Sequence, residues 1–427
     1  MTKNKQTIII ILIIFIFFIF FLFERNFLNH QENIVIHFWN GFTGPAGYGI
    51  LEMVKDFNQL HPETFVKMQR MDWATYYNKV MVSIMANRGP DVFIVHNDQM
   101  NRFVQSGEIL PLDKHIEQEK LEWRSDFAEI PWQVSNYNVK QWGITLDVFC
   151  IGLWYNKELF KKAGIVDDKG NPLPPCNLQE FLIVGKKLTQ DFDNDGKIDQ
   201  WGFAYNYPHS VFYSLLKQNG GSLLSQDGHN AQLNSPAGVN SLQLMVDFIY
   251  KYKIAPPLSA GINWFSFRKG EVGMMLEGIY LVRDLEVLKD TLDYGAAPIP
   301  QFGDVPAAWG GSHILVIRKG LPPEKEAECW KFIKYISEHS IKWAKGGTLP
   351  IRKSIIQSPE FRTLKEHFEF AKQISYVAYE PNNLFAQEIR FYLDTAIERA
   401  LFQTESPQVA LDKATTEIQA LLNRGSD

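Results

Sequence analysis

The sequence predicts an α/β fold of about two domains. The chain has 427 residues, which is more than one ordinary hydrophobic core supports. Between residues 33 and 98, segments with strand patterning alternate with segments of helical periodicity. The order strand–helix–strand–helix–strand is typical of a parallel sheet that carries helices on both faces.

The N-terminal segment predicts export and a membrane anchor. Residues 8–23 form an unbroken apolar run, preceded by Lys3 and Lys5. This basic flank places the N-terminal end in the cytoplasm and the rest of the chain outside. Neither a small-residue cleavage site nor a lipid-anchoring cysteine follows the run. We therefore expect an uncleaved signal-anchor helix within residues 1–32, with cleavage at an atypical site as the alternative.

The elements of the first predicted sheet follow from local patterns. Alternating and β-branched residues predict strands, and apolar residues at helix spacing predict helices. In chain order these are a strand at 33–39, a helix at 50–60, a strand from 65, a helix at 76–85 and a strand at 91–95. Ligands of parallel sheets lie at the carboxyl ends of the strands, which here are residues 39–45 and 96–98.

The later part of the chain repeats this mixture. Residues 142–154 form a long extended stretch with Asp147 in its middle, and this stretch is long enough to cross between two lobes. A helix-rich region follows. Further elements are predicted as strands at 293–300 and 312–317, a helix at 323–338, a break at 346–350 and closing helices that end near Leu422.

Composition narrows the classes of ligand. The formal net charge of −5 argues against nucleic acid, because neutralising phosphates requires a basic face. The 11 tryptophans lie mostly singly in loop-like contexts. Each one is best explained by packing, but as a set they suit the apolar faces of sugar rings. The 3 cysteines form no close pair and indicate neither zinc nor redox chemistry.

Five short motifs, taken in order, resemble one known family. They are Trp39 with Thr43, Gly44 and Pro45; residues 87–93; residues 153–157 with Phe160, Ala163 and Gly164; residues 267–278; and residues 298–300 with Trp309, Gly310, Gly311 and Ser312. This set is similar to the family 1 extracellular solute-binding proteins, the maltose-binding-protein-like sugar-binding subunits of ABC importers. The likeness runs from about Ile34 to the C-terminus. Two departures are the missing lipid-anchor cysteine and Ile279, where the family often has proline.

The resemblance implies a two-lobed, type II periplasmic-binding-protein fold with hinge-crossing segments. It places lobe 1 at residues 33–145 and 293–346, and lobe 2 at 146–292 and 347–427, with crossings near Asp147, Asp293 and Gly346. It also implies a binding protein without enzymatic activity or a required cofactor. We expect a monomer that captures a mono- or oligosaccharide between its lobes and delivers it to a membrane permease.

Candidate ligand-binding residues follow from loop position and side-chain chemistry within that fold. Aromatic faces, carboxylates, hydroxyls and close backbone approach are the groups that hold a sugar. The candidates are Trp39, Thr43, Trp73, His96, Asp98, Asp147, Trp264, Glu277, Trp309, Gly310, Gly311 and Ser312. Three have open alternatives, because Thr43 suits a helix cap, Trp73 suits core packing and Asp147 suits a hinge contact.

A separate motif resembles the start of a calcium-binding loop. Carboxylates alternate and a glycine stands at the sixth position, as a sharp turn around calcium requires. The residues concerned are Asp191, Asp193, Asp195 and Asp199, with Gly196 at the turn. The twelfth position is Gly202 rather than glutamate, so a structural Ca²⁺ site and a metal-free turn both remain open.

Two other functions remain as alternatives. A glycosidase needs two carboxylates facing each other across a cleft, and Asp98 with Glu277 would be the pair. Binding of a different solute is the second alternative. Glycerol phosphate would require clustered basic residues, and Arg352 is the only candidate. A polyamine would require several carboxylates between aromatic walls, and Asp98, Asp147 and Glu277 could supply them. The tryptophans and uncharged polar groups favour a neutral sugar.

Overall fold

A computed structural model describes residues 34–44 and 46–424. The strands in chain order are β1 (Ile34–Asn40), β2 (Thr64–Arg70), β3 (Val92–His96), β4 (Asn136–Tyr137), β5 (Lys140–Gln141), β6 (Ile144–Thr145), β7 (Asp147–Asn156), β8 (Trp201–Ala204), β9 (Val272–Gly278), β10 (Tyr294–Ala297), β11 (Ala308–Gly311), β12 (His313–Ile317), β13 (Leu349–Pro350) and β14 (Val377–Ala378).

The helices cover the faces of the sheets and form most of the C-terminal part. They are α1 (Ala46–Leu60), α2 (Trp73–Met85), α3 (Met100–Ser106), α4 (Asp113–Glu117), α5 (Leu121–Ser125), α6 (Glu129–Gln133), α7 (Lys157–Lys162), α8 (Leu178–Leu188), α9 (Pro208–Gln218), α10 (Pro236–Tyr250), α11 (Trp264–Arg268), α12 (Val282–Glu286), α13 (Pro323–Glu338), α14 (Ser340–Ala344), α15 (Lys353–Ile356), α16 (Pro359–Thr363), α17 (Lys365–Ala371), α18 (Ala386–Leu401) and α19 (Pro407–Arg424). Short 3-10 turns lie at Asn97–Gln99, Leu258–Ala260, Ile279–Leu281 and Ile374–Tyr376.

The first sheet has the strand order β2–β1–β3–β12–β6. Strand β1 pairs in parallel with β2 and β3, while β12 pairs antiparallel with β3 and β6. The central strand β3 is buried along most of its length, as its continuous apolar run requires. Helices α1, α13 and α14 pack on one face of this sheet, and together with it they form what we call the first lobe.

The second sheet follows the order β14–β11–β7–β9–β8, and β10 and β13 add to β7. The long strand β7 is its centre, pairing antiparallel with β9, β10, β11 and β13. Helices α9, α10, α18 and α19 pack into one apolar cluster with this sheet and form what we call the second lobe. The α/β class predicted from the alternating patterns is therefore confirmed.

The chain crosses from the first sheet to the second between β6 and β7, as the long extended stretch around Asp147 predicts. The return crossing differs from the prediction. Strand β10 and strand β11 both belong to the second sheet, and the chain re-enters the first sheet only at His313. The predicted boundary at residue 293 is therefore corrected to residue 312, because β10 and β11 hydrogen-bond to β7 before the chain turns back.

The predicted N-terminal anchor at residues 8–23 lies outside the described residues. Across residues 34–44 and 46–424, the structure contains no helix with the length and apolar character needed to cross a bilayer. All three cysteines are free thiols, and Cys150 and Cys329 are buried as small apolar groups.

Candidate functional site

A cavity of about 270 Å³ lies where the two lobes meet. The first lobe contributes the carboxyl end of β3 and the start of α2, and the second lobe contributes β7, β11 and the start of α18. The lining residues are Trp73, Tyr77, His96, Asn97, Asp98, Gln99, Phe149, Trp309, Gly310, Gly311, Glu380, Gln387 and Arg390. This is the position at which parallel sheets bind ligands.

Trp73 forms the aromatic wall on the first lobe. The Asp72 side chain caps α2 by accepting a hydrogen bond from the Ala74 backbone at 2.9 Å, so Trp73 is the first helical residue. The indole packs against Gly41, where a Cβ atom would lie 2.1 Å from the ring. A glycine at position 41 is therefore needed for the wall to form. The indole centroid lies 4.3 Å from the imidazole of His96.

His96 is a neutral polar group beside that wall. Its Nδ1 atom lies 2.5 Å from the Tyr77 hydroxyl. Burial, followed by the nearby His313 and Arg390, holds the pKa of His96 well below its usual value. A Tyr77 hydroxyl that donates to Nδ1 leaves the imidazole proton on Nε2, so the ring presents one donor on its other nitrogen.

Asp147 lies behind the cavity and holds the crossing. Its carboxylate is fully buried and accepts hydrogen bonds from the His313 backbone at 2.9 Å and from the Trp343 indole at 2.6 Å. The His313 ring nitrogen lies 2.8 Å from the same carboxylate. Three elements on separate stretches of chain therefore meet on one acidic group, which agrees with the hinge alternative for Asp147.

The return crossing at Ser312 lies behind the cavity, directly after the lining residues Gly310 and Gly311. The Ser312 backbone donates to the Asn97 side chain at 2.9 Å, and the Asn97 backbone donates to the Ser312 carbonyl at 3.1 Å. Gly311, the residue before Ser312, lies against Phe149, and a Cβ atom at this position would come within 2.3 Å of the ring. The glycine allows the aromatic ring to approach the strand closely, so it serves packing as well as access to the cavity.

Glu380 organises the second-lobe wall. Its Oε1 atom accepts from the Trp309 indole at 2.6 Å and from Arg390 at 3.0 Å, and lies 2.8 Å from the His209 ring. Burial alone would raise the pKa of Glu380, but the charges of His209 and Arg390 and the hydrogen bonds lower it to about 2. The carboxylate thereby fixes Trp309 and Arg390 at the cavity.

His209 is charged as part of the same network. Burial opposes protonation, but Glu380 and Asp394 raise the pKa of His209 to about 9. A raised folded-state pKa stabilises the fold fully below the unfolded pKa of about 6.5, and this contribution disappears as the pH rises through 9. Between pH 7 and pH 10 we expect the free energy of unfolding to fall by about 2–3 kcal/mol from this group.

Denaturant unfolding at pH 7 and pH 10 measures the contribution of His209. The wild type should lose stability over this range, and the variant His209→Gln should lose about 2 kcal/mol less because its side chain does not titrate. An identical loss in both proteins would contradict a charged His209.

Asp98 faces Arg390 and Gln387 across the cavity. Its Oδ2 atom accepts from the Gln387 amide at 3.2 Å and lies 3.9 Å from an Arg390 nitrogen. Burial raises the pKa of Asp98, and the positive charge of Arg390 offsets part of that rise. Since Asp98 is on the first lobe and Arg390 on the second, the ion pair bridges the cleft.

The structure brings half of the predicted site residues together. Those lining the cavity are Trp73, His96, Asp98, Trp309, Gly310 and Gly311. Asp147 and Ser312 lie directly behind it at the crossings. The remaining four lie elsewhere: Trp39, Thr43, Trp264 and Glu277.

Each of those four has a different environment. Because side chains alternate along β1, Trp39 lies on the opposite face from buried Phe38, and it lines a separate surface groove. Thr43 is exposed in the loop before α1. Trp264 packs on Phe265, with ring centroids 4.1 Å apart. These positions follow from strand alternation and local packing, which place the three side chains outside the cavity.

Glu277 is buried inside the second lobe. It accepts hydrogen bonds from the Tyr280 hydroxyl at 2.5 Å, from the Gly278 backbone at 2.8 Å and from the Asn206 amide. These donors satisfy the carboxylate without a ligand. The carboxylate pair proposed for a glycosidase is therefore not assembled in this cavity.

Sequence reasoning missed several cavity residues. Tyr77 and Phe149 lie within predicted elements, but only the packing shows that they face the cavity. Glu380, Gln387 and Arg390 come from the C-terminal segment, which carries none of the five motifs. The available signal was a carboxylate six residues before a helix that carries Gln387 and Arg390 near its start, and this signal is weak.

The acidic turn lies apart from the cavity. Oxygen atoms of Asp191, Asp193 and Asp195 lie within 4.8 Å of one another. One Asp191 oxygen is buried and has no hydrogen-bond partner among the described residues. The Asp199 carboxylate instead accepts from the Phe192 backbone at 2.7 Å and is outside this group. Three converging carboxylates fit the oxygen preference of calcium.

The calcium assignment stays a prediction with a direct test. If the turn binds Ca²⁺, saturation at a hundredfold excess over the dissociation constant adds about 2.7 kcal/mol and raises Tm by a few degrees. The double variant Asp193→Asn with Asp195→Asn should lose this shift. Equal melting temperatures in calcium and in chelator would rule the site out.

Comparisons with known proteins agree with this fold. A family profile described as bacterial extracellular solute-binding protein matches residues 43–342. The arabinooligosaccharide-binding protein of Bacillus subtilis is 22% identical over 410 residues, covering 90% of this chain and 91% of that protein.

Solved structures give the same picture at the level of the fold. The sugar-binding protein MalE of Xanthomonas citri superposes with a TM-score of 0.79 at 20% identity, covering 92% of this chain and 98% of that one. The cyclic α-maltosyl-1,6-maltose binding protein of Arthrobacter globiformis has a TM-score of 0.78 at 20% identity, covering 92% and 100%. The resemblance predicted from five ordered motifs is confirmed, and the chain belongs to the family of bacterial extracellular solute-binding proteins.

Proposed function

We propose that this protein is the exported carbohydrate-binding subunit of an ABC importer, capturing a neutral sugar between its lobes. The main support for this proposal is that Trp73 on the first lobe and Trp309 on the second line one cavity, together with charged groups that can form hydrogen bonds. Aromatic faces stack on the apolar faces of sugar rings, and carboxylates and guanidinium groups bind the hydroxyls. Sugar ligands of the structural relatives support the same choice.

The charge of the cavity favours a neutral ligand. Arg390 is the one lysine or arginine among the described residues that line it, and Arg390 already contacts Glu380 and Asp98. A phosphate would compete with both carboxylates for this guanidinium. The other basic candidate, Arg352, lies outside the cavity and pairs with Asp126 at 3.0 Å.

A polyamine fits the cavity less well than a neutral sugar, because the acidic side chains already have partners within the protein. It would need carboxylates free of internal partners, but the carboxylates of Asp98 and Glu380 both face Arg390. Asp147 and Glu277, the other predicted partners of a polyamine, are buried and hydrogen-bonded within the protein.

The relatives named above are binding proteins, which supports capture without conversion of the sugar.

The mechanism we propose is closure of the lobes on the ligand. A sugar that contacts both lobes stabilises the closed state by its additional contacts, and the crossings near Asp147, Ser312 and Gly346 act as the hinge. The closed form would then deliver the sugar to a membrane permease.

The apolar N-terminal run at residues 8–23 would tether the protein to the membrane. A mature N-terminus found after residue 23 would contradict this tether.

Calorimetric titration with a panel of sugars tests the proposal. We expect saturable binding of one sugar per protein, with the sugar recovered chemically intact. Trp73→Ala should weaken binding at least about tenfold, because truncating a central aromatic anchor commonly costs 2 kcal/mol or more. Trp264→Ala is the matched control and should bind like the wild type. Turnover of the sugar, or equal loss in both variants, would contradict the proposal.

A further inference from the structure

Side-chain contacts join the two lobes at the edge of the cavity. Asp98 of the first lobe contacts Gln387 and Arg390 of the second. A neighbouring contact lies beside it, where the Asn101 backbone donates to the Asn382 side chain at 3.3 Å. We call these contacts, Asp98 with Gln387 and Arg390 and Asn101 with Asn382, the cleft bridge.

The first-lobe half of the cleft bridge has a fixed position. Asn97, the residue before Asp98, exchanges two hydrogen bonds with Ser312 at the return crossing. Residues 97–99 form a 3-10 turn and Asn101 lies in the first turn of α3. The carboxylate of Asp98 is therefore presented by a short rigid segment that is attached directly to the hinge.

The second-lobe half is equally constrained. Arg390 donates to Glu380, and Glu380 is held by the Trp309 indole and by His209. Gln387 lies one helical turn before Arg390 on α18, so both side chains project toward the same part of the cleft. Groups that are fixed within each lobe therefore meet at the cleft bridge, and moving the lobes apart at this point would break their contacts.

The cavity beside the cleft bridge is small. Its volume is about 270 Å³. It lies below the range of about 300–1,000 Å³ found for pockets that enclose drug-sized ligands. A cavity of this size favours a short sugar over a long one.

We propose that the cleft bridge limits the ligand to one or two sugar rings. The inference rests on the proposed function, since it concerns the length of the sugar bound in the same cavity. A longer chain would have to pass between Asp98 and α18. It would then separate the largely buried Asp98 carboxylate from Gln387 and Arg390, and depriving that carboxylate of these partners is unfavourable.

Titration with sugars of increasing length tests this limit. The probes are D-glucose, maltose, maltotriose and maltotetraose, and the matching series of L-arabinose, arabinobiose and arabinotriose. We expect the affinity of the wild type to fall at least about tenfold between the disaccharide and the trisaccharide of the series it binds. The double variant Gln387→Ala with Asn382→Ala should reduce that ratio at least about threefold.

The control is Gln243→Ala, which removes a glutamine that donates to Asp247 at 2.8 Å on the exposed side of α10. It should keep the wild-type length preference. A trisaccharide that binds the wild type as tightly as the disaccharide would overturn the length limit and leave sugar binding intact. An unchanged ratio in the double variant would overturn the role of the bridge. Binding of no sugar of either series would contradict the proposed function itself.

Discussion

Replacing Glu380 with alanine is expected to lower the free energy of unfolding by about 3–5 kcal/mol, the usual result of breaking a buried ion pair. The carboxylate is the common partner of His209, Trp309 and Arg390. Its folded-state pKa of about 2, compared with an ordinary value of about 4.3, corresponds to about 3 kcal/mol.

Sugar binding should be lost together with stability in Glu380→Ala. Without the carboxylate, Arg390 has no partner in its own lobe and the Trp309 indole loses its hydrogen-bond acceptor. The wall of the second lobe would then lose its geometry. Glu380→Gln keeps an acceptor but removes the charge, so its loss of stability should be smaller.

Chemical unfolding and titration calorimetry on the same samples measure both effects. The matched control is Glu388→Ala, which removes an exposed carboxylate from the first turn of α18 and should change stability by less than about 0.5 kcal/mol. A Glu380→Ala protein as stable as this control would show that the network does not organise the second lobe.

Replacing Asp147 with asparagine is the second large effect. The buried carboxylate accepts from the His313 backbone and the Trp343 indole, and the His313 ring contacts it as well. An asparagine of the same size turns one oxygen into an amide that donates, so a donor would face a donor in a buried site. We expect a loss of about 2–4 kcal/mol in the free energy of unfolding.

The position of Asp147 makes a second readout available. It lies at the crossing between the lobes rather than in the cavity, so the variant should weaken sugar binding through the hinge, and the loss should be similar for every sugar that the wild type binds. Asp168→Asn changes an exposed aspartate and serves as the control. A variant that lost affinity for only one sugar would indicate direct contact between Asp147 and ligand.

The elements of the fold were predictable because their signals are local. Alternation in β1 and helical periodicity in α2 lie within single segments, and α13 begins and ends where its sequence pattern predicts. The long stretch around Asp147 was recognisable as a crossing because it exceeds the length of one short strand. The return crossing was misplaced, since nothing local distinguishes β10 pairing with the second sheet from pairing with the first.

The site was predictable in part for the same reason. His96 and Asp98 follow a buried parallel strand, and that position alone points to the ligand edge of a sheet. Glu380 had no such signal, because its role depends on His209 and Trp309, which lie 171 and 71 residues away along the chain. Glu277 illustrates the converse case. It stands near the end of β9, but neighbouring donors occupy its carboxylate.

A crystal structure of the protein with a sugar identified by titration would show directly whether the ligand lies between the lobes. We expect one sugar in the cavity, in contact with Trp73 of the first lobe and with Trp309 and Glu380 of the second. A sugar bound outside this cavity, or in contact with one lobe alone, would contradict this expectation.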